Sequence, residues 1–384
     1  FNHHITVSII QNTIRSIKSH LINLPGWRTN RKIVVFESDD WGAQRMPSKK
    51  AYDAMVGKGL GVEQSKYDRF DSLERKEDLE ALADVLQEFT DSRGNSPVFT
   101  TNMVLGNPDF DVIEEKGFEE YKYESFYESY EKYYGQSLEQ TWSQGIAEGF
   151  FYPQFHAREH LNVPLWMKDL KEGKKSTRLA FSHRFFGLKT KTSSLYQKNY
   201  LAAYRAETPS EFTKMAEIAK EGLELFEKTF GFPSKTFIAC NYIWPKAMEQ
   251  ELLPSGVKLF QGQRAQLDPQ INKAGMLKIR RKFTGLKNRQ GQLFTVRNVR
   301  FEPYIRISAT QEVNSAIAEI HRSFFWKKPA IISSHRINFA SNMSVRHRDQ
   351  NLHALRSLLS IIKQEYPDIE FIHSAKLADI MIKS

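Results

Sequence analysis

One cysteine, Cys240, stands in 384 residues. No disulfide can therefore form within the chain, and on this count a thiolate zinc site is excluded. Its apolar neighbours Phe237, Ile238 and Ala239 predict a buried core thiol rather than a nucleophile. No apolar run is long enough to cross a membrane, and no secretory signal peptide is evident. The chain starts at Phe1 rather than Met, so a removed leader stays open and a cytoplasmic location is the default expectation. Zinc-finger spacings and aromatic RNA-binding motifs are absent too. There is no repeat of fixed period, and no linker that would divide the chain.

The hydrophobic share of 40% suffices for a large core, and 27 Phe with 15 Tyr leave rings to spare for a ligand surface. The formal net charge of +10 would suit nucleic acid, an anionic glycan or an anionic membrane. The basic residues are scattered, however, with denser runs only at Lys171–Lys175 and Lys278–Lys282. A solvated surface is the expectation, with no nucleic-acid partner.

Ile10, Ile14, Ile17, Leu21 and Leu24 recur at helical spacing and predict an N-terminal amphipathic helix over 1–30, packed on its own domain. KIVVFESD, from Lys32, reads as a first strand buried on both faces. Leu79, Leu82, Leu86 and Phe89 mark a helix, and PVFTTNMV a second strand. Residues about 107–149 form an acidic, tyrosine-rich, helical insertion that is a candidate wall for a ligand cleft. GFFYPQF follows, then a helix from Pro164 capped by Asn162 and a strand-like RLAFSH. The second half alternates more plainly. Helices near 210–229, 246–253, 311–325 and 349–363 are interleaved with the strands KTFIACN, VKLFQG, LFTVRNVRF, PAIISSH and IEFIHS. Such alternation indicates an α/β parallel sheet or barrel, occupying 31–384 as one domain.

Asp39, Asp40, His156, Asn241 and His335 each fall at the carboxyl end of a predicted strand, the rim where parallel α/β folds build active sites. HAREH (156–160) places two histidines four apart, within reach of one metal ion from a helix face or tight turn. Asp39 and Asp40 are adjacent carboxylates that repel unless a cation compensates them. Together they offer an oxygen and nitrogen ligand set with open positions for water, as catalytic metal sites need.

VVFESDDWG (34–42), HAREH and PAIISSH (329–335) resemble, in order and strand context, motifs of the polysaccharide deacetylase (NodB-like) family of the glycoside hydrolase/deacetylase superfamily. The resemblance covers residues from about 31 onward, outside the insertion. It implies a distorted (β/α)7 barrel and a metal-dependent hydrolase that removes acetyl groups from N-acetylated sugars of a polysaccharide or oligosaccharide. It implies Asp39 as general base, Asp40, His156 and His160 as ligands of one divalent ion, and His335 as general acid. Zinc comes first for that ion, with Mn, Fe, Co or Ni also open. The backbone N–H of Tyr242 is a candidate oxyanion donor, and Arg336 or a nearby carboxylate would set the charge of His335.

The sequence departs from the family at FIACNYIWP (237–245), where Asn241 and Tyr242 replace the expected Arg-Pro-Tyr. Arg264 and Arg297 are the candidates to pair with Asp39 instead. His183 competes with His335 as acid. Trp41, Tyr242 and Trp244 are candidate sugar-stacking rings, and Glu302 is expected in an ordinary ion pair. An O-acetyl esterase on the same site, a retaining glycosidase with paired carboxylates, and a non-catalytic glycan or nucleic-acid binder are the alternatives. The substrate is expected to be a carbohydrate, with an anionic one open.

Overall fold

The strand β1 (Lys32–Trp41) is buried from Ile33 to its end, and its alternate residues change character along the strand. Ile33 and Val35 pack with Leu259, Leu293 and Ile331 from other strands and with Leu377, Ala378 and Met381 of the helix Ser374–Lys383. Two and four residues further on, the same face carries Glu37 and Asp39, because side chains of a strand alternate with period two. The opposite face, with Val34 and Phe36, joins a larger cluster that holds Leu79, Leu82 and Leu86 of the helix Lys76–Gln87 and Leu355, Leu358 and Leu359 of the helix Val345–Glu365.

The computed structural model describes residue 17 and residues 20–188, 200–273, 275–305 and 308–383. Among them the principal sheet is nine-stranded. After β1 it comprises β2 (Phe99–Val104), β3 (Phe151–Ala157), β4 (Thr236–Ile238), β5 (Leu259–Gln261), β6 (Leu293–Phe294), β7 (Val299–Arg300), β8 (Ala330–His335) and β9 (Ile369–Phe371). The order is β6-β5-β4-β3-β2-β1-β8-β7, with β9 beside β1, and the pairings are parallel.

The segment expected as one strand, LFTVRNVRF, is two short ones, β6 and β7, that pair with opposite neighbours. Thr295 N and Arg297 N donate to Phe260 O and Gly262 O at 3.0 and 2.9 Å, after which Asn298 N and Phe301 N donate to Ile331 O and Ser333 O at 3.2 and 2.9 Å. One chain segment thus leaves the β5 side and joins the β8 side, which closes the ring as a distorted (β/α)7 barrel. The lower interior is apolar and stoppered by the helix Ser374–Lys383; the upper interior is polar.

Helices form where the sequence supplies both caps and an apolar stripe. Pro209–Phe230 begins at a Thr208/Glu211 capping box, has Pro209 in its first turn and ends on left-handed Gly231. The helix from Val163 is capped by the Asn162 side chain on Leu165 N at 3.2 Å. RLAFSH is not a strand but part of the helix Lys175–Ser182. Thr177, Ala180 and Phe181 are buried there at three- and four-residue spacing. Of the N-terminal helix positions, Ile10 and Ile14 lie outside the described residues. Ile17, Leu21 and Leu24 are exposed, while His20 Nδ1 and Asn23 Oδ1 accept hydrogen bonds from Trp326 and Asn298. Among the described residues no helix is long and apolar enough to cross a membrane.

The insertion contains the hairpin Gly106–Pro108/Tyr123–Ser125 and the helices Phe110–Glu115, Phe126–Tyr134 and Glu139–Ala147. It does not wall the rim cavity, none of whose lining residues it supplies. Instead Phe126, Tyr130 and Trp142 are buried in the main cluster, and Asn107 braces the turn after β1. Its Oδ1 accepts from Gln44 N at 2.6 Å and its Nδ2 donates to Gly42 O at 2.9 Å.

The same turn is held from below by Arg336, which is wholly buried. Its Nη1 donates to Ala43 O at 2.6 Å and Glu74 Oε2 at 2.9 Å, and its Nη2 to Asp71 Oδ1 at 3.0 Å. Glu74 in turn accepts from Gly42 N at 2.9 Å and from Tyr130 Oη. Arg336 therefore faces Asp71 and Glu74, and it is not the group that sets the charge of His335. Replacing Arg336 with Met leaves the buried Glu74 without a cation and Asp71 with Arg45 alone, at 3.3 Å. It should cost about 3–5 kcal/mol of stability, read as a lowered midpoint in urea denaturation.

Candidate active site

In a regular strand, neighbouring residues point to opposite faces, so Asp39 and Asp40 should diverge. Two local features bring them to the same mouth. The register of β1 against β2 shifts between Ser38 and Trp41, as a bulge produces. Asp40 itself is left-handed, with φ 75°, a conformation that costs non-glycine residues free energy and clusters at functional sites. Gly42 follows at φ 81°, and a Cβ there would stand 2.4 Å from Val104 O.

Asp39 is gripped from three sides. Arg297 donates from Nη2 to Oδ1 at 2.6 Å and from Nη1 to Oδ2 at 2.7 Å, and Asn102 Nδ2 donates to Oδ1 at 2.8 Å. The same guanidinium reaches Glu37 Oε2 through Nε at 2.7 Å and the Tyr242 hydroxyl at 3.0 Å. Burial alone would raise the Asp39 pKa; the charge and hydrogen bonds of Arg297 outweigh it and hold the group at about 2. For Glu37 burial wins over the same arginine, and its pKa is raised. Arg297 thus makes the pairing for which two arginines were candidates. Arg264 precedes the antiparallel hairpin Ala265–Pro269/Leu277–Arg281, where its carbonyl accepts from Lys282 N, and it does not line the rim cavity.

Asp40 Oδ1 lies 3.4 Å from His156 Nε2 and 3.3 Å from His160 Nε2. HAREH is not helical: His156 is on β3 and His160 in the bend that follows it. His156 Nδ1 donates to Ile238 O at 2.8 Å, which fixes the ring and turns Nε2 toward Asp40, as a backbone carbonyl does for metal-binding histidines. His160 Nδ1 is buried and has no partner among the described residues. Against burial, the two imidazoles hold the Asp40 pKa well below the carboxylate range. His156 is raised well above its ordinary value, because Cys240 and Asp40 outweigh burial. One carboxylate oxygen with two Nε2 atoms 3.3 and 3.4 Å from it is a compact set of oxygen and nitrogen donors that fits a divalent cation once both imidazoles are neutral.

Cys240 is buried in the main apolar cluster, as expected, and it also borders this group. Its Sγ is 3.8 Å from His156 Nε2, and donor atoms of His156, His160 and Cys240 lie within 4.8 Å of one another. Burial raises the thiol, but the histidines outweigh it and bring it to about 6. The apolar run before it concealed this; the one available signal was its position next to Asn241 at a strand end.

His335, at the end of β8, is held by the carboxylate of Glu302. Its Nδ1 donates to Glu302 Oε1 at 2.5 Å, and Asn338 Nδ2 donates to Glu302 Oε2 at 2.8 Å. Nε2 is then left facing Asp39 Oδ2 at 3.6 Å. Tyr67 packs edge-on against the imidazole at 5.6 Å. Burial lowers the His335 pKa, and Glu302 more than reverses this, to about 9.

Asp39, Asp40, His156, His160, Asn241, Tyr242 and His335 line one cavity of about 230 Å³, together with Arg45, Tyr67 and Asp68. These last three lie on loops and a short helix before the second strand, and nothing in their spacing marked them. Other expected residues are elsewhere. Trp41 is fully buried, its Nε1 donating to Ser38 Oγ at 3.0 Å and its ring among Trp142, Phe151 and Phe339. Trp244 is stacked on Phe260 in the core. Both are packing residues and unavailable to a sugar. Tyr242 N donates to Ala239 O at 2.9 Å, so this N–H is already spent within its turn and is not an oxyanion donor. His183 is half-buried just past the helix Lys175–Ser182, beside Lys58 and outside the cavity lining, and does not compete with His335.

No family model matches the chain, and no curated protein matches it. Solved structures similar to it include two described as polysaccharide deacetylases, the family its motifs resemble. One, from Mycobacterium smegmatis, shares 9% identity at TM-score 0.43 over 94% of this chain and 93% of that one. The other, from Pseudomonas aeruginosa PAO1, shares 7% identity at TM-score 0.47 over 92% of each. The α-amylase AmyC from Thermotoga maritima also matches, with 9% identity and TM-score 0.43 over 92% of this chain and 75% of that one. The reaction is therefore read from the side chains of the cavity.

The Glu302–His335 contact yields a direct expectation. His335 gains its proton affinity on folding, so its stabilisation is complete below its unfolded pKa of about 6.5 and is lost as pH rises through about 9. Glu302→Gln should move the His335 titration, followed by NMR of the ring protons, from about 9 down toward the ordinary value. An unmoved titration would show that Glu302 does not set it.

Proposed function

We propose that the protein is a metal-dependent hydrolase that removes acetyl groups from N-acetylated sugars of a polysaccharide or oligosaccharide. The observation that supports this most is the facing of Asp39 and His335 at 3.6 Å beside the Asp40, His156 and His160 group. Each member of that pair is anchored by its own partner, Arg297 or Glu302.

Asp40, His156 and His160 would hold a divalent ion, which when bound supplies Lewis acidity toward water and toward the acyl carbonyl. Asp39 accepts the proton of the attacking water on Oδ2, the oxygen nearest His335. Arg297 keeps the carboxylate fixed and ionised for that step and prevents it from swinging toward the ion. His335 donates from Nε2 to the departing amine nitrogen, since Nδ1 is committed to Glu302. Placing base and acid side by side lets one proton enter and another leave with no side-chain rearrangement. Asn241 and Tyr242 at the rim are the residues positioned to touch the sugar, and the small cavity takes its acetamido group.

A retaining glycosidase needs two carboxylates about 5 Å apart, one a nucleophile and the other an acid. Here Asp39 is clamped by an arginine and Asp40 faces two imidazoles, which leaves neither in the acid role. Incubation with acetylated glucosamine oligomers should release acetate and no new reducing ends; reducing ends without acetate would overturn the reading. Asp39→Asn should lower acetate release by about 10²–10⁴-fold while the metal content, measured by elemental analysis, is kept. His156→Ala should lose both metal and activity, and full metal occupancy in that variant would sink the ligand assignment.

A further inference from the structure

We propose that Cys240 is a sulfur ligand of the ion, in addition to Asp40, His156 and His160, and that the site consequently selects a thiophilic divalent cation. This rests on the metal reading proposed above and goes beyond it, because the family's motifs supply only an aspartate and two histidines. Two observations carry it. His156 Nε2 lies 3.4 Å from Asp40 Oδ1 and 3.8 Å from Cys240 Sγ. Donor atoms of Cys240, His156 and His160 all lie within 4.8 Å of each other, and all three residues are buried.

The backbone is arranged to deliver that sulfur. After β4 the chain makes a single turn, Cys240–Tyr242, in which Asn241 and Tyr242 are both left-handed at φ 57° and 56°. Two successive left-handed residues without a glycine are costly. The turn sends Asn241 and Tyr242 to the rim of the cavity and leaves Cys240 fully buried against the histidines.

The ligand preference follows from donor softness. Carboxylate and imidazole together admit most first-row divalent ions, whereas an added thiolate favours zinc and cobalt over manganese and magnesium. It also changes how full the site is. Three protein donors leave one tetrahedral position for water; a fourth fills that position unless the ion expands its coordination or the sulfur moves away. In this chain Cys240 would therefore compete with water.

Cobalt tests this without ambiguity, because Cys240 is the only cysteine in the chain. The wild-type protein, stripped with a chelator and titrated with Co²⁺, should show visible d–d bands together with a sulfur-to-cobalt charge-transfer band in the near ultraviolet. Cys240→Ser should keep the d–d bands and lose the charge-transfer band. Visible bands in the wild type with no charge-transfer band would overturn the sulfur assignment and leave the Asp40, His156 and His160 reading standing. Absence of any cobalt binding, checked by equilibrium dialysis, would overturn both. Should the variant not fold, X-ray absorption of the zinc-loaded wild type decides: one sulfur at about 2.3 Å is expected, and a shell of nitrogen and oxygen alone refutes it.

Discussion

Everything at the mouth of this barrel is organised around one buried guanidinium. Arg297 lies on the segment that changes partners between β5 and β8, and from there it spans the ring to Glu37 and Asp39 on β1. It makes the polar upper layer of the interior tolerable, since two carboxylates and a ring of amides could not otherwise be shut away from water. Gln261 links that layer sideways, donating to Asn102 at 3.0 Å and to Thr236 at 2.7 Å. Ser374 ties it downward by donating to Glu37 Oε1 at 2.7 Å. The closing of the barrel and the fixing of Asp39 are thus the same event, because one residue serves both.

The buttresses behind the site come from parts of the chain far from it in sequence. Asn107 and Tyr130 of the insertion, Glu74 before the helix Lys76–Gln87, and Arg336 after β8 converge on the turn Gly42–Ala43. None of them touches the cavity. Their common effect is to hold the backbone just past Asp40, so that its carboxylate stays between the two imidazoles. Rigid support of this kind places ligands more accurately than loop residues can.

The sequence disclosed a parallel α/β sheet or barrel because its strands are short, apolar and regularly spaced, and because polar residues collect at their ends; the barrel itself was what the motif resemblance implied. The same resemblance joined Asp39, Asp40, His156, His160 and His335 as one set, which the structure gathers into one cavity. Two kinds of feature stayed hidden. Partnerships across the ring, such as Arg297 with Asp39 and Glu302 with His335, join residues hundreds of positions or tens of positions apart, and no local pattern encodes them. Environment was the other. Trp41 and Trp244 lie beside the site in sequence yet turn into the core, while Cys240 follows an apolar run yet turns toward the histidines. In each case the direction of a side chain was decided by a bulge or a left-handed residue, which composition does not reveal.

The left-handed backbone at Asp40 also restricts what evolution can place there. Aspartate and asparagine tolerate that region better than other side chains, and glycine best of all. Glutamate, with the same charge, would meet a penalty from its backbone before its carboxylate reached the histidines. The choice of a short acid at this point is accordingly a matter of handedness as much as of chemistry, and the path from a working site to an idle one runs most easily through asparagine or glycine.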